Sequence, residues 1–560
     1  MKVKSQIPNP KSDAPSLRSS YGETRGGQKS QIRIGVSEAN FVGLRASDFL
    51  PRVKALGVNL ISGFGFPILG VAFFALLAGC AVGPNYKRPE ATTIPAAYTG
   101  ATNIVETDTT NIWNVASPRA QFPKGAWWEI FGDPDLNALE AQASVANQQL
   151  KVAVARLDEA RAQMNVARAG LFPNVSASGS FVRQRVSPNT PLTSSGKAIG
   201  TTATFDDFYA PLTVGYELDL WGRVRRSVES ARTQVQASAD DLETIRLMIQ
   251  AEAAVDYFSL RALDSQKAVL ASSVDVFAKS LELTRNLRAG GAVSDLDVAQ
   301  AQTVLKTTQA QLPSVVLQRT QFEHALAVLV GQPASSFHIA ERPLRIAPPL
   351  IPAEVPSQLL ERRPDIAAAE RRMASANAGI GVAKAAFFPS VQLNGLAGFE
   401  SLSAGTLFNW SSRLWALGPS ISVPIFEGGK LRAGLQLANA SYVEMVATYR
   451  QTVLTAFSEV EDSLAAQTLL ANQYAAESDA LAAARKQLEI VNNQYRDGLI
   501  TYLEVATAES TELNVEFTAT QLRGEQLVAA VTLVKALGGG WQESAAAIAA
   551  RPARSLPGGS

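Results

Sequence analysis

The sequence is poor in the residues on which most catalytic and metal chemistry depends. In 560 residues it has one cysteine, Cys80, and two histidines, His324 and His338. A single cysteine excludes disulfides within the chain and thioredoxin-like motifs, and this inventory leaves no Cys/His zinc site. A Ser-His-Asp site would have to use His324 or His338, and no nucleophile motif surrounds either one. No enzyme and no cofactor is expected. Charge is also scarce, at 18% of residues against about 25% in ordinary soluble domains. The 51 Lys+Arg and 50 Asp+Glu leave a net charge of +1, which gives no footprint for nucleic acid and no single-sign field. Proline is absent from 212–312 and from 425–551, although the chain averages one per 20 residues. Helix-breaking residues are missing where length matters.

What is present begins with an apolar run. Arg52 and Lys54 precede 25 uncharged residues, Ala55 to Gly79. A basic segment, an apolar segment and small residues before the end describe a secretory signal peptide. The run closes on Leu77-Ala78-Gly79-Cys80, which resembles a bacterial lipobox, with Cys80 as the lipid-accepting thiol. An uncleaved membrane anchor of the same length is the competing reading, and Gly57, Gly63, Gly65, Pro67 and Gly70 weigh against it. Ala81 in place of aspartate predicts sorting to the outer membrane. The first 50 residues are polar and fit neither reading. No Met lies between Met1 and Met164, and a start placed too far upstream is the expectation.

The remainder is written twice. Leu171-Phe172-Pro173-Asn174-Val175 recurs as Phe387-Phe388-Pro389-Ser390-Val391, and Trp221-Gly222-Arg223 aligns with Gly428-Gly429-Lys430. Gly291–Ala299 recurs 207 residues on as Gly498–Ala506, with Leu296 matching Leu503 and Asp297 matching Glu504. Within each half the apolar period changes from helical to alternating and back. A helix is expected over 136–170, ended by Pro173. Alternation follows at Leu212, Val214, Tyr216, Leu218 and Leu220. The second half alternates from Val391 to Phe399 and again from Trp415 to Ile425. Each half thus offers one β-hairpin, with a polar loop near 187–204 and a shorter one near 401–413. Long helices follow each hairpin, and one from Arg223 to Ala289 would extend about 100 Å. Leu481, Ala484, Leu488, Val491 and Tyr495, then Leu503, Ala506, Ser510, Leu513 and Phe517, trace a coiled-coil seam interrupted by a tight turn.

Four strands cannot close a barrel, and outer-membrane barrels start at about eight. Alternating apolar and polar positions suit a wall between lipid and water, so three chains of four strands would give a 12-strand barrel. The competing reading is a soluble β-patch on a helical bundle.

These residues resemble the outer-membrane factors, the TolC-like exit ducts of efflux pumps, in their lipoprotein (NodT-type) branch. The likeness covers residues 80–541. It is carried by Cys80–Pro89, by Trp127–Leu136, by Leu220-Trp221-Gly222-Arg223, by Arg362-Arg363-Pro364-Asp365-Ile366 with Glu370, and by Pro424–Gly429. It implies a mixed α/β membrane protein: a homotrimer with a 12-strand barrel in the outer membrane and a 12-helix periplasmic tunnel. It further implies passive export of small molecules such as drugs or toxic compounds. The implied partners are outer-membrane lipid, a periplasmic adaptor and an inner-membrane pump of the RND type. The alternative is a lipid-tethered periplasmic scaffold without a pore, which would not conduct ions. The expected organisation is an extension and signal peptide (1–79), a periplasmic segment (80–135), a first repeat (136–331), a linker (332–363), a second repeat (364–541) and a tail (542–560).

Two turns carry the candidate sites, Gly290-Gly291-Ala292-Val293-Ser294 and Gly498-Leu499-Ile500-Thr501. Glycine supplies the positive φ that a tight reversal needs, and the resemblance adds docking of the adaptor at these tips. It also places an acidic ring, Asp297 and Glu504, with Tyr495 at the periplasmic gate. Ile500 and Thr507 replace a basic and an acidic position of the family pattern, so no salt-bridged lock is expected. Mutual repulsion in a trimer would raise the pKa of the ring acids. Trp127, Trp128 and Trp221 read as packing or membrane-girdle residues. Arg362 and Arg363 before Pro364-Asp365 read as a helix start.

Overall fold

The computed structural model describes residues 81–89, 126–187, 203–349, 351 and 363–539. The lipobox residues Leu77, Ala78, Gly79 and Cys80 lie outside the described residues, as do Arg362 and the 542–560 tail.

Helix α1 (Pro134–Ala146) starts where sequence chemistry dictates. Asp133 accepts from the Asp135 N–H at 2.9 Å, and proline occupies the first turn, where no N–H is needed. The single helix expected over 136–170 is two helices. At Asn147 the backbone leaves the helix (ψ 128°), and its side chain caps α2 (Gln148–Ala169) by accepting from Leu150 N at 3.1 Å. Beyond the strands lie α3 (Arg223–Ala289) and α4 (Asp295–Leu329), of 67 and 35 residues. The second half has α5 (Pro364–Ala385), then α6 (Lys430–Arg496) and α7 (Tyr502–Ala536), again of 67 and 35 residues. The bounds read from sequence for α3 are those observed.

The short helices continue the hairpin helices in space. Asn147 donates to the Leu329 carbonyl at 2.9 Å, so α2 begins where α4 ends, and both pack along α3. Arg363 donates to the Ala536 carbonyl at 3.0 Å, which places the start of α5 at the end of α7. The same guanidinium pairs with Asp365 and Glu459, each at 2.6 Å. Arg363 is therefore the pin of this junction, beyond the helix-start reading.

Strands β1 (Asn174–Ala177) and β2 (Ser180–Val186) both pair with β3 (Ala203–Leu218). Strand β3 pairs with β4 (Ser390–Ser401) and β4 with β5 (Arg413–Ser422), all antiparallel. The register of β1 and β2 on β3 is continuous. The break falls opposite Pro211, which has no N–H for the ladder, and Ser178 N still donates to its carbonyl at 3.1 Å. The sheet is thus four strands wide, as the two hairpins predicted. Leu220 lies beyond the end of β3, and β5 stops at Ser422 rather than Ile425. Val423, Pro424 and Ile425 lead instead to the positive-φ pair Gly428-Gly429 that starts α6.

Pairing decides the two faces. Val175, Val214, Gly395 and Leu417 lie in one row, Ala177, Leu212, Ala397 and Trp415 in the next, and Leu218, Val391 and Ile421 in a third. The other face carries Asn174, Gly215, Asn394 and Gly418, then Glu217, Gln392 and Ser420. The apolar face is uncovered: Trp415 is 77% exposed and Leu417 79%. Among the described residues no helix is long and apolar enough to cross a membrane.

The helices enclose two apolar clusters. The larger gathers Trp127, Phe131, Tyr257, Phe258, Ile366, Met373, Tyr449 and Leu527, and the smaller lies toward the helix turns. The seam on α7 differs from the expected one. Leu503 is 55% exposed, and its neighbour Tyr502 enters the smaller cluster with Val505, Ala506 and Leu513.

Glu140 of α1 is fully buried, with both carboxylate oxygens unpartnered, and burial pushes its carboxyl up to about 9. The folded chain keeps a proton that the unfolded chain releases near 4.5, so stability falls as pH rises between those values. Glu140→Gln removes this dependence. The variant is expected to melt close to wild type at pH 5 and several degrees above it at pH 8, the difference growing by roughly 4 kcal/mol over that interval. Melting curves of detergent-solubilised protein at the two pH values check this.

Candidate functional site

The turns at the far end of the long helices are built alike. Ala292 N donates to the Leu287 carbonyl at 2.9 Å and Leu499 N to the Gln494 carbonyl at 2.9 Å. Gly291 has φ 79° and Gly498 φ 70°, and no atom lies within 4 Å of a Cβ built on either. Gly290, at φ −77°, needs no such freedom. Ala292, Ser294, Leu499 and Thr501 are exposed, whereas Val293 and Ile500 pack against the smaller cluster. Arg288 and Asp295 close the first turn with a two-pronged pair at 2.7 and 2.9 Å.

The acids repeated after the turns both bond the residue that starts their helix, and at Asp297 this is a cap. Ser294 and Asp297 form a capping box at the start of α4: Asp297 accepts from Ser294 N at 2.8 Å and from its hydroxyl at 2.7 Å. Thr501 donates to Glu504 at 2.5 Å in the same position of α7. Asp297 also accepts from Tyr502 N at 3.4 Å, so the acid of the first hairpin reaches the first turn of α7. The Ser294 side-chain hydrogen bond holds Asp297 below the usual carboxylate range, and that of Thr501 does the same for Glu504. These local bonds oppose the upward shift expected from repetition in a trimer.

Tyr495, placed at the gate by the resemblance, packs inside its own chain. It is 5% exposed, meets the Tyr502 ring edge-on at 5.6 Å and approaches Thr284 Oγ1 at 3.4 Å. Its ring is enclosed by the helices of its own chain. Beside it Tyr502 donates to buried Glu509 at 2.9 Å and meets Ser280 at 3.2 Å. Periodicity concealed Glu509, an acid on the buried side of α7.

At the other end of the helices, the segment after Cys80 is seated where the sheet joins them. Val82 N donates to the Trp221 carbonyl at 2.9 Å. Gly83, at φ 117°, lies so close to Gly381 that a Cβ would fall 2.6 Å from its Cα. Arg226 donates to Asn85 at 2.8 Å and Asn377 to the Pro84 carbonyl at 3.1 Å. Arg88 bonds Tyr449 at 3.1 Å and pairs with Glu370 at 3.5 Å. Trp221 donates to the Pro389 carbonyl at 2.6 Å and stacks on Phe388. Trp127 is fully buried, and its indole donates to Gln250 at 3.3 Å. Both are packing residues.

The outer membrane efflux protein family matches residues 139–332 and 355–539, the two halves of the repeat. The chain belongs to this family. It is 34% identical over 478 residues to the probable efflux pump outer membrane protein TtgC of Pseudomonas putida, covering 84% of this chain and 94% of that protein. It is 35% identical over 425 residues to the pyoverdine export protein OpmQ of Pseudomonas aeruginosa, covering 74% and 87%. The solved outer-membrane channel OprN superposes with a TM-score of 0.73 at 30% identity, covering 82% of this chain and 99% of that one. This member of the family is an outer-membrane efflux channel of TolC-like fold. Three copies of the four-strand sheet supply 12 strands, and the edges each copy leaves open are β5 on one side and β1 with β2 on the other.

No cluster of metal-ligating side chains occurs among the described residues of this efflux channel. What sequence reasoning missed is a buried ionic network around the linker between the repeats. Arg319 of α4 donates to Asp264 at 2.7 Å, to Glu323 at 2.8 Å and to the Ile339 carbonyl at 2.6 Å. Arg261 donates to the Ala340 carbonyl at 2.6 Å and to Asp135 at 2.9 Å, and Arg342 reaches Asp133 at 2.8 Å. The only sequence signal was the presence of arginine and acid within helical stretches, which resembles any solvated face.

Proposed function

We propose that the trimer is the passive exit duct of a tripartite pump, engaging a periplasmic adaptor at the 290–294 and 498–501 tips and receiving cargo from an inner-membrane pump of the RND type. The observation that carries this reading is the sheet: one face apolar and uncovered, the other polar, attached to 67-residue helices that end in tight turns at Gly291 and Gly498. A periplasmic scaffold would have no use for such a wall. Relatives bear names that specify toluene, solvent and pyoverdine export, and small organic solutes are the cargo class proposed. Cys80 carries the lipid. The seat of Ala81–Pro89 at the sheet–helix junction supports this, because that level is the periplasmic rim of the barrel.

Asp297 and Glu504, each present three times at the narrow end of the tunnel, form a cation-attracting mouth. Their hydrogen bonds keep them charged through mild acid. Single-channel recording in planar bilayers tests duct and mouth together. Wild type is expected to conduct with a cation preference that persists at pH 5, and Asp297→Asn/Glu504→Gln to conduct without it. A protein that never conducts ends the duct reading. An unchanged preference in the double variant ends the mouth reading alone.

Gly498→Val tests the tip. A branched residue at φ 70° strains the turn, by roughly 1–2 kcal/mol, and adds bulk where the adaptor would approach. Transport is expected to vanish with outer-membrane abundance unchanged and with loss of adaptor cross-linking. Wild-type transport by this variant would show that docking lies elsewhere.

A further inference from the structure

The sheet sorts charge by face and by end. Its strands carry three cations, Arg183, Arg185 and Arg413, and four acids, Asp206, Asp207, Glu217 and Glu400. Register assigns all three arginines to the apolar face. Arg413 stands opposite Phe399, in line with Ala210, while Arg183 and Arg185 stand opposite Asp206 and Thr204 in the row of Phe208 and Leu212. Of the acids only Asp206 shares that face; Asp207, Glu217 and Glu400 lie on the other. All three arginines sit at the loop end of the strands, away from the helices. The helix end of the apolar face, at Leu218, Val391 and Ile421, carries no charge. Hydrocarbon does not select for such a distribution; a charged headgroup layer on one side of the bilayer does.

The arginines are accompanied by the aromatic residues that mark a membrane interface. Phe181 lies 4.7 Å from Phe208, Phe399 meets Phe408 edge-on at 5.7 Å, and the Arg413 guanidinium rests 4.5 Å over the Trp410 ring. Arg413 is held there by donating to the Trp410 carbonyl at 2.7 Å. Arg183 pairs with Asp206 only at 3.6 Å, and Arg185 has no ion-pair partner among the described residues. Guanidinium groups match phosphate oxygens in geometry and charge.

We propose that Arg185 and Arg413, with Arg183 beside them, form a collar on the outside of the barrel that binds the phosphorylated headgroup of an outer-leaflet lipid. Barrel closure borders β5 of one copy with β2 of the next, so each of the three seams has Arg413 on one side and Arg185 on the other. The proposal rests on the duct reading for its orientation, with the strand loops facing outward.

The test uses the full-length trimer in detergent, stripped of lipid, with a bisphosphorylated hexa-acyl glucosamine disaccharide as probe and its dephosphorylated form as comparison. Native mass spectrometry reads lipid retention. Wild type is expected to hold the phosphorylated form at least 10-fold more tightly, with the difference shrinking in high salt. Arg185→Gln/Arg413→Gln, which leaves the Arg183–Asp206 pair intact, should bind both forms alike, and Arg185→Lys/Arg413→Lys should keep part of the difference. Conductance in phosphatidylcholine bilayers should not change, which separates this test from that of the duct. Equal retention of the two lipids by wild type, undiminished retention by the Gln variant, or full displacement by millimolar inorganic phosphate would each overturn the proposal. If the Gln variant does not assemble, the wild-type comparison and its salt dependence decide.

Discussion

Leu417→Arg is expected to leave the protein out of the outer membrane, whereas Ser420→Arg, three positions along the same strand, is expected to insert and alter conductance. Leu417 lies midway along β5 in the row with Gly395, Val214 and Val175, on the face that meets lipid. An arginine at the middle of a barrel's lipid face costs about 2–4 kcal/mol, and a trimer incurs this three times. Ser420 stands in the row of Gln392 and Glu217 on the lumen side, where its hydroxyl accepts from Asn394 at 2.8 Å. A cation there adds charge to water rather than to hydrocarbon. Fractionation and heat-modifiable trimer on gels measure insertion, and bilayer recording measures conductance. If both variants insert equally, the faces have been assigned wrongly.

Arg319→Leu is expected to destabilise the folded chain by about 3–5 kcal/mol, the usual result of removing one member of a buried ionic group. Asp264 is 1% exposed at its side chain and loses its shortest partner, and Glu323 loses the bond that holds it toward Ile339 N. The uncompensated charges reside between α3, α4 and the segment that leads to the second repeat. A fall in melting temperature should therefore come with faster proteolysis near 338–345. Neutralising the partners as well, in Arg319→Leu/Asp264→Asn/Glu323→Gln, should recover much of the loss. If it recovers nothing, the packing of the arginine stem, not its charge, is what matters.

The long-range plan was legible because it is written in local terms. Absence of proline, 3,4 spacing and paired glycines fixed the bounds of α3 and the places where α4 and α7 begin. Alternation placed β4 and β5 to within a few residues but found only the second half of β3, and the repeat implied that the halves share a design. Errors arose where one residue had to choose between neighbours. Leu503 and Tyr502 both suit an apolar seam, and only packing against α3 and α6 selected Tyr502. Asp297 and Glu504 were found as a repeated pair, but their bonds at the helix start depend on where the backbone turns.

By itself the sequence determined the duplication, the length of α3, the alternation of the strands and the poverty of catalytic residues, because each follows from the order of residue types along a single segment. Tertiary structure decided what depends on two segments meeting. Register between β3 and β4, which are separated by the whole first helical hairpin, gathered the apolar side chains onto one wall and the arginines onto its outer end. The carbonyl ends of α4 and α7 were matched to Asn147 and Arg363 across the fold. Charges spread from Asp133 to Arg342 became one network, buried at Asp133, Arg261, Asp264 and Arg319. No local period encodes such pairings, since their energy comes from excluding water between surfaces far apart in the chain.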